Sequence, residues 1–135
     1  MLDAYLVPEK TTITTKGESQ PLDISATANR VFLLTLTIGA IVEQESIEIS
    51  VFSSGDGTTW ETKPVATLPQ KFYVGEYPLL VDLTTVPDAK FVRAHWDVTR
   101  WGRGPTTPKF EISLRLREIS QDALHEAQAE AHTRR

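Results

Sequence analysis

Cysteine is absent from the 135-residue sequence, and with it go disulfide frameworks, thiolate nucleophiles and cysteine-ligated zinc. The absence fits folding in a reducing compartment. Basic charge is scarce as well: 14 Lys and Arg against 18 Asp and Glu leave a net charge of −4, without the cationic excess that a phosphate backbone demands. Nucleic-acid binding is not expected. No apolar run is long enough for a membrane span, and Met1-Leu2-Asp3-Ala4-Tyr5-Leu6 has neither the basic nor the apolar stretch of a signal peptide. The expectation is cytoplasmic synthesis, which also suits a component that leaves the cell only by assembly into a particle.

Catalytic chemistry is thinly represented. Of the three histidines, His95 falls on the polar face of an expected strand and His125 and His132 lie near the C-terminus, none beside a nucleophile. A hydrolytic triad needs Ser, His and a carboxylate to converge, and no nucleophile elbow is present. Neither a pair of histidines at helical metal-binding spacing nor a glycine-rich phosphate loop opening a helix occurs. The expectation is a protein that is not an enzyme and carries no cofactor or metal.

What is present has an all-β rhythm: short runs rich in β-branched and aromatic residues, punctuated by Gly, Pro, Asp and Asn. Candidate strands cover residues 5–7, 11–15, 22–25, 30–41, 46–53, 59–62, 71–74, 77–83, 90–98 and 109–117. Phe32, Leu34, Leu36 and Ile38 share one face of a strand, as do Ile47, Ile49 and Val51. Val92, Ala94, Trp96 and Val98 oppose Arg93, His95 and Asp97, while Phe110, Ile112, Leu114 and Leu116 oppose Glu111, Ser113, Arg115 and Arg117. Sheets with one apolar face must pair those faces. The expected fold is therefore a two-sheet antiparallel β-sandwich, jelly-roll-like, over residues 26–118.

Residues 1–25 read as an extended N-terminal segment or edge strands, suited either to the protein's own sheet or to strand addition on a neighbour. From Ser120, a plausible N-cap, the spacing predicts a short C-terminal α-helical tail within residues 119–135. Ile119, Ala123, Leu124 and Ala127 lie on one side of it and form a candidate assembly stripe.

Ser54-Gly55-Asp56-Gly57-Thr58-Thr59-Trp60 supplies positive φ for a reversal between a strand ending at Ser53 and one containing Trp60. Asp56 as a calcium ligand is the alternative, but no second carboxylate stands at a helpful loop spacing. This turn, followed by Phe91-Val92-Arg93, resembles the paired signature of discoidin-type jelly-roll domains and is equally similar to phage head-decoration and tail β-sandwich proteins. The resemblance runs over about residues 47–98 and implies a jelly roll. Discoidin-like domains bind glycans or membrane surfaces through loops at one end. The chain lacks their bridging cysteines, and no binding residue is carried over.

Arg100-Trp101-Gly102-Arg103 places an indole between two guanidinium groups in a loop, the residue types favoured at binding hot spots. Trp101 either serves such a contact or folds back to cap the sandwich. Tyr73 and Tyr77 flank a Gly reversal and belong near it if both lie at one end of the sandwich. Two readings result. The first is a structural protein that binds copies of itself or another structural protein, or decorates a phage-like capsid or tail. The second is a carbohydrate- or surface-ligand-binding module using Tyr73, Tyr77, Arg100, Trp101 and Arg103. A coplanar exposed ring platform would favour the glycan, and rings buried between copies would favour assembly.

Overall fold

The apolar residues that alternate in the sequence are the ones that leave water. Phe32, Leu34, Leu36 and Ile38, then Ile47, Ile49 and Val51, then Phe110, Ile112, Leu114 and Leu116 are all buried, each side chain worth about 1.5–3 kcal/mol relative to exposure. In the computed structural model, which describes residues 2–41, 45–100 and 109–120, these series form the inner faces of two packed sheets.

Nine strands occur among the described residues: β1 (Asp3–Ile13), β2 (Gly17–Glu18), β3 (Leu22–Asp23), β4 (Val31–Ile41), β5 (Glu45–Ser54), β6 (Ala66–Lys71), β7 (Gly75–Asp82), β8 (Phe91–Arg100) and β9 (Phe110–Glu118). The first sheet has the order β1-β9-β4-β7 and the second β2-β8-β5-β6, with β3 also on β8. Every pairing is antiparallel. Apart from β2–β3 and β5–β6, each step along the chain changes sheet, which is the winding of a jelly roll. The expected antiparallel sandwich is the fold observed.

Several local expectations change. Residues 5–7 and 11–13 are not two strands but parts of the single β1, interrupted by a bulge between Val7 and Thr11, and residues 14–15 lie beyond its end. Residues 59–62 form no strand; Trp60 makes one bridge to Ser54, and the partner of β5 begins only at Ala66. Two prolines close to that segment, Pro64 and Pro69, obscure its strand character in the sequence. Residues 72–74, expected in a strand, are the turn between β6 and β7. Trp96 lies at the rim of the core, its indole Nε1 donating to the Thr15 carbonyl at 3.2 Å. Residues 1–25 supply the edges of both sheets, β1 of the first and β2 and β3 of the second. The helix expected after Ser120 lies outside the described residues.

Register defines two ends. At one, β1 begins opposite the finish of β9, with Asp3 facing Arg117, and the β3–β4, β5–β6 and β7–β8 connections turn there. At the other, Ile13 and Ile41 flank Phe110, Ile38 faces Gly75, Glu45 faces Arg100 and Ile47 faces Lys71. The strand ends that lead into β1–β2, β4–β5, β6–β7 and β8–β9 meet at this second end.

Candidate functional site

The β6–β7 turn crosses from one sheet to the other in three residues, Phe72, Tyr73 and Val74. So short a crossing leaves them no sheet to pack against, and they are 41%, 75% and 57% exposed. The tip is held from below: Tyr77, on β7, donates its hydroxyl to the Tyr73 carbonyl at 2.6 Å. Lys71 Nζ stands 5.1 Å from the Tyr77 ring centroid, a cation–π contact that covers that ring. The Phe72 and Tyr73 rings lie 6.4 Å apart and are tilted by 58°.

Beside this turn are the anchors of the β8–β9 connection. Arg100 ends β8 opposite Glu45, the first residue of β5. The Glu45 side chain is buried and its Oε2 accepts the Lys109 backbone N–H at 2.7 Å, fixing the point at which the chain returns to β9. Tyr73, Tyr77 and Arg100 therefore share one end of the sandwich, a proximity that the sequence left open. Trp101 and Arg103 lie between those anchors and outside the described residues. Ile119 is elsewhere: its N–H donates to the Val31 carbonyl at 3.0 Å, at the opposite end, and Ala123, Leu124 and Ala127 lie outside the described residues.

Three side chains of this end escaped the sequence reading. Phe72 and Val74 sit in an apolar run that does not alternate before Gly75, which is the signal that could have marked a turn tip rather than a strand. Glu45 carries no signal at all, since an acid next to a strand is ordinarily solvated.

The remaining candidates are occupied by structural work. Asp56 accepts the N–H groups of Thr58 and Thr59 at 2.9 and 2.8 Å and the Ser54 hydroxyl at 3.0 Å, which holds its carboxyl far below the usual carboxylate range. Those bonds shape the turn, with Gly57 at φ 82°. On the outer face of the second sheet, Arg93 stacks 4.3 Å from the centroid of the Trp60 ring and pairs with Glu18 at 3.2 Å. His95 meets the edge of Phe52 with centroids 6.2 Å apart. Among the described residues no three His, Asp or Glu converge as metal ligands, and no helix is long and apolar enough to cross a membrane.

The sheet edges are blunted. Pro8, Pro69 and Pro78 are exposed on the edge strands β1, β6 and β7, and β2 and β3 have two residues each. Proline and short length both hinder strand addition by another chain. Comparisons with protein-family models, curated proteins and solved structures returned no match.

Proposed function

We propose that the protein is a non-enzymatic structural component that attaches through the β6–β7 end, to copies of itself or to a larger particle such as a phage-like capsid or tail. The observation that carries this reading is the run Phe72, Tyr73 and Val74, which supplies three of the four exposed large apolar side chains among the described residues. Apolar exposure gathered at one tip gains free energy when a partner removes it from water, and aromatic residues are favoured anchors of such contacts.

The tilt between Phe72 and Tyr73 favours a protein partner over a sugar at this end, because stacking on a sugar ring calls for a flat platform. Tyr77 adds no second ring to a platform, since Lys71 covers it. The prolines on the edges direct association to the loops instead of to β-augmentation.

Sedimentation velocity of the full-length protein across a concentration series tests the reading. The expected result is concentration-dependent association that Tyr73→Ser together with Phe72→Ser abolishes while the fold persists. A strict monomer at all concentrations, or association unchanged in that double variant, would sink self-assembly through this end.

A further inference from the structure

The outer face of the first sheet is not flat. A groove of about 460 Å³ crosses it, within the range of about 300–1,000 Å³ typical of small-ligand sites. Its shape follows from register. Ser113 on β9 faces Thr37 on β4, which faces Glu76 on β7; one row away, Arg115 faces Thr35. Small side chains in the two central strands make a low floor.

On the β1 side the ladder advances from Val7 to Thr11 while β9 advances only from Leu114 to Ile112. The extra residues bulge out opposite Ser113 and form a wall, with Lys10 at φ 58°, a left-handed conformation uncommon for a side-chain-bearing residue. Tyr5 stands at this wall, 43% exposed, and its hydroxyl donates to Glu9 Oε1 at 2.8 Å, which fixes the ring. Farther along β9, Glu111 lies beside Gly39, where an added Cβ would come 3.0 Å from Glu111 Oε1 and push that carboxylate aside.

Polar capacity in the floor is unspent. Ser113 is only 8% exposed and lines the groove, yet among the described residues its hydroxyl has no hydrogen-bond partner, nor do those of Thr35 and Thr37. The Ser113 oxygen is not sealed from solvent. Here the open side is the groove. In the lining Glu9, Glu76 and Glu111 stand against Lys10, Arg115 and Arg117, and Arg115 is already paired with Asp3, so no cationic surplus selects an anion.

We propose that this groove is a binding site for a neutral glycan. Adjacent hydroxyls and carboxylates suit the paired donors and acceptors of a sugar ring, and the fixed Tyr5 ring offers its apolar face a surface. The site is separate from the Phe72–Tyr73 tip, so a glycan could be bound whether or not the protein assembles.

The test is affinity electrophoresis of the full-length protein in native gels containing hydroxyethylcellulose, glucomannan or dextran, with heparin as an anionic control. At least one neutral polymer is expected to retard migration, with little change between low and moderate salt. Tyr5→Ala should weaken retardation about tenfold. Thr37→Arg, which fills the floor, should remove it, while Tyr73→Ser should leave it intact, which separates this site from the assembly tip. In wild-type protein, hexasaccharides of the retarding polymer should shift the amide resonances of Thr35, Thr37 and Ser113. The proposal is overturned if none of the three neutral polymers retards the protein, if heparin alone does so, or if the resonances that move belong to another face.

Discussion

The two ends of the sandwich are built on different principles. Where β1 begins and β9 finishes, carboxylates close the loops. Asp23 accepts from the Ser25 N–H and hydroxyl at 2.8 and 2.6 Å, Asp82 from those of Thr84 at 2.9 and 2.6 Å, and Asp56 holds the β5–β6 turn. Glu118, buried, ties the Leu2 N–H at 3.0 Å and the Asn29 N–H at 2.9 Å to the end of β9. Arg30 Nη2 donates to the Val86 and Ala89 carbonyls at 2.9 and 2.7 Å. At the opposite end, Tyr77 holds the backbone of the β6–β7 turn, whose apolar side chains stay in water, and Glu45 holds the Lys109 N–H at the start of β9. One end spends its polar groups on stability, and the other leaves apolar surface in water.

The largest effect should come from the carboxylate-closed end. Glu118→Ala leaves the half-buried N–H groups of Leu2 and Asn29 without that acceptor, and should cost about 2–3 kcal/mol in denaturant unfolding. Acid should find the same end first. The carboxyls of Asp23, Asp56, Asp82 and Glu118 are all held below their ordinary values, by hydrogen bonds from Ser25, Thr59, Thr84 and Leu2 respectively. Each therefore contributes stability in full above its ordinary pKa, 3.8 for Asp and 4.5 for Glu118, and loses it as pH falls through the lowered folded value. As pH drops below about 4.5, amide protection factors, which correct for the slower intrinsic exchange in acid, should fall at Leu2, Ser25, Thr58 and Thr84 before those near Glu45 and Gly75. Simultaneous loss at both ends would erase the contrast.

Smaller losses sharpen it. Arg30→Met removes the donor for two loop carbonyls and should cost about 2 kcal/mol by thermal or chemical unfolding. Gly57→Ala places a Cβ at φ 82°, 3.5 Å from the Phe91 ring, and should cost about 1 kcal/mol, from backbone strain more than from contact. If Gly57→Ala is neutral, the β5–β6 turn does not depend on that conformation.

The sandwich itself was legible because period-2 alternation reports burial directly: Leu34, Leu36, Ile112 and Leu114 had to face inward somewhere, and two sheets are the way to pair such faces. The edges were less legible. β1 was split in two because Pro8, Glu9 and Lys10 interrupt its alternation, and a bulge looks like a break in one dimension. Residues 72–74 looked like a strand because Phe, Tyr and Val favour strands; the requirement to change sheets overrode that preference. The shared end of Tyr73 and Arg100 depends on register between strands far apart in sequence, Ile47 with Lys71 and Glu45 with Arg100, which no local pattern carries. The floor of the groove was partly visible, as Thr35, Thr37 and Gly39 alternate with Leu34, Leu36 and Ile38. The wall that makes it a groove was not.

The smallest expected change in stability is at the tip, where it carries the most weight for the contrast between ends. Tyr73 is 75% exposed and its backbone carbonyl, not its ring, receives the Tyr77 hydroxyl, so Tyr73→Ser keeps that bond and removes only solvated ring surface. Unfolding of the monomer should change by less than about 0.5 kcal/mol. Tyr77→Phe is the informative partner: it leaves the exposed apolar surface intact but deletes the hydroxyl that holds the turn, and should cost up to about 1 kcal/mol. If association is lost in Tyr73→Ser and kept in Tyr77→Phe, the ring makes the contact. If both lose it equally, the partner reads the shape of the turn, and the rigidity supplied by Tyr77 matters more than the apolar surface it presents.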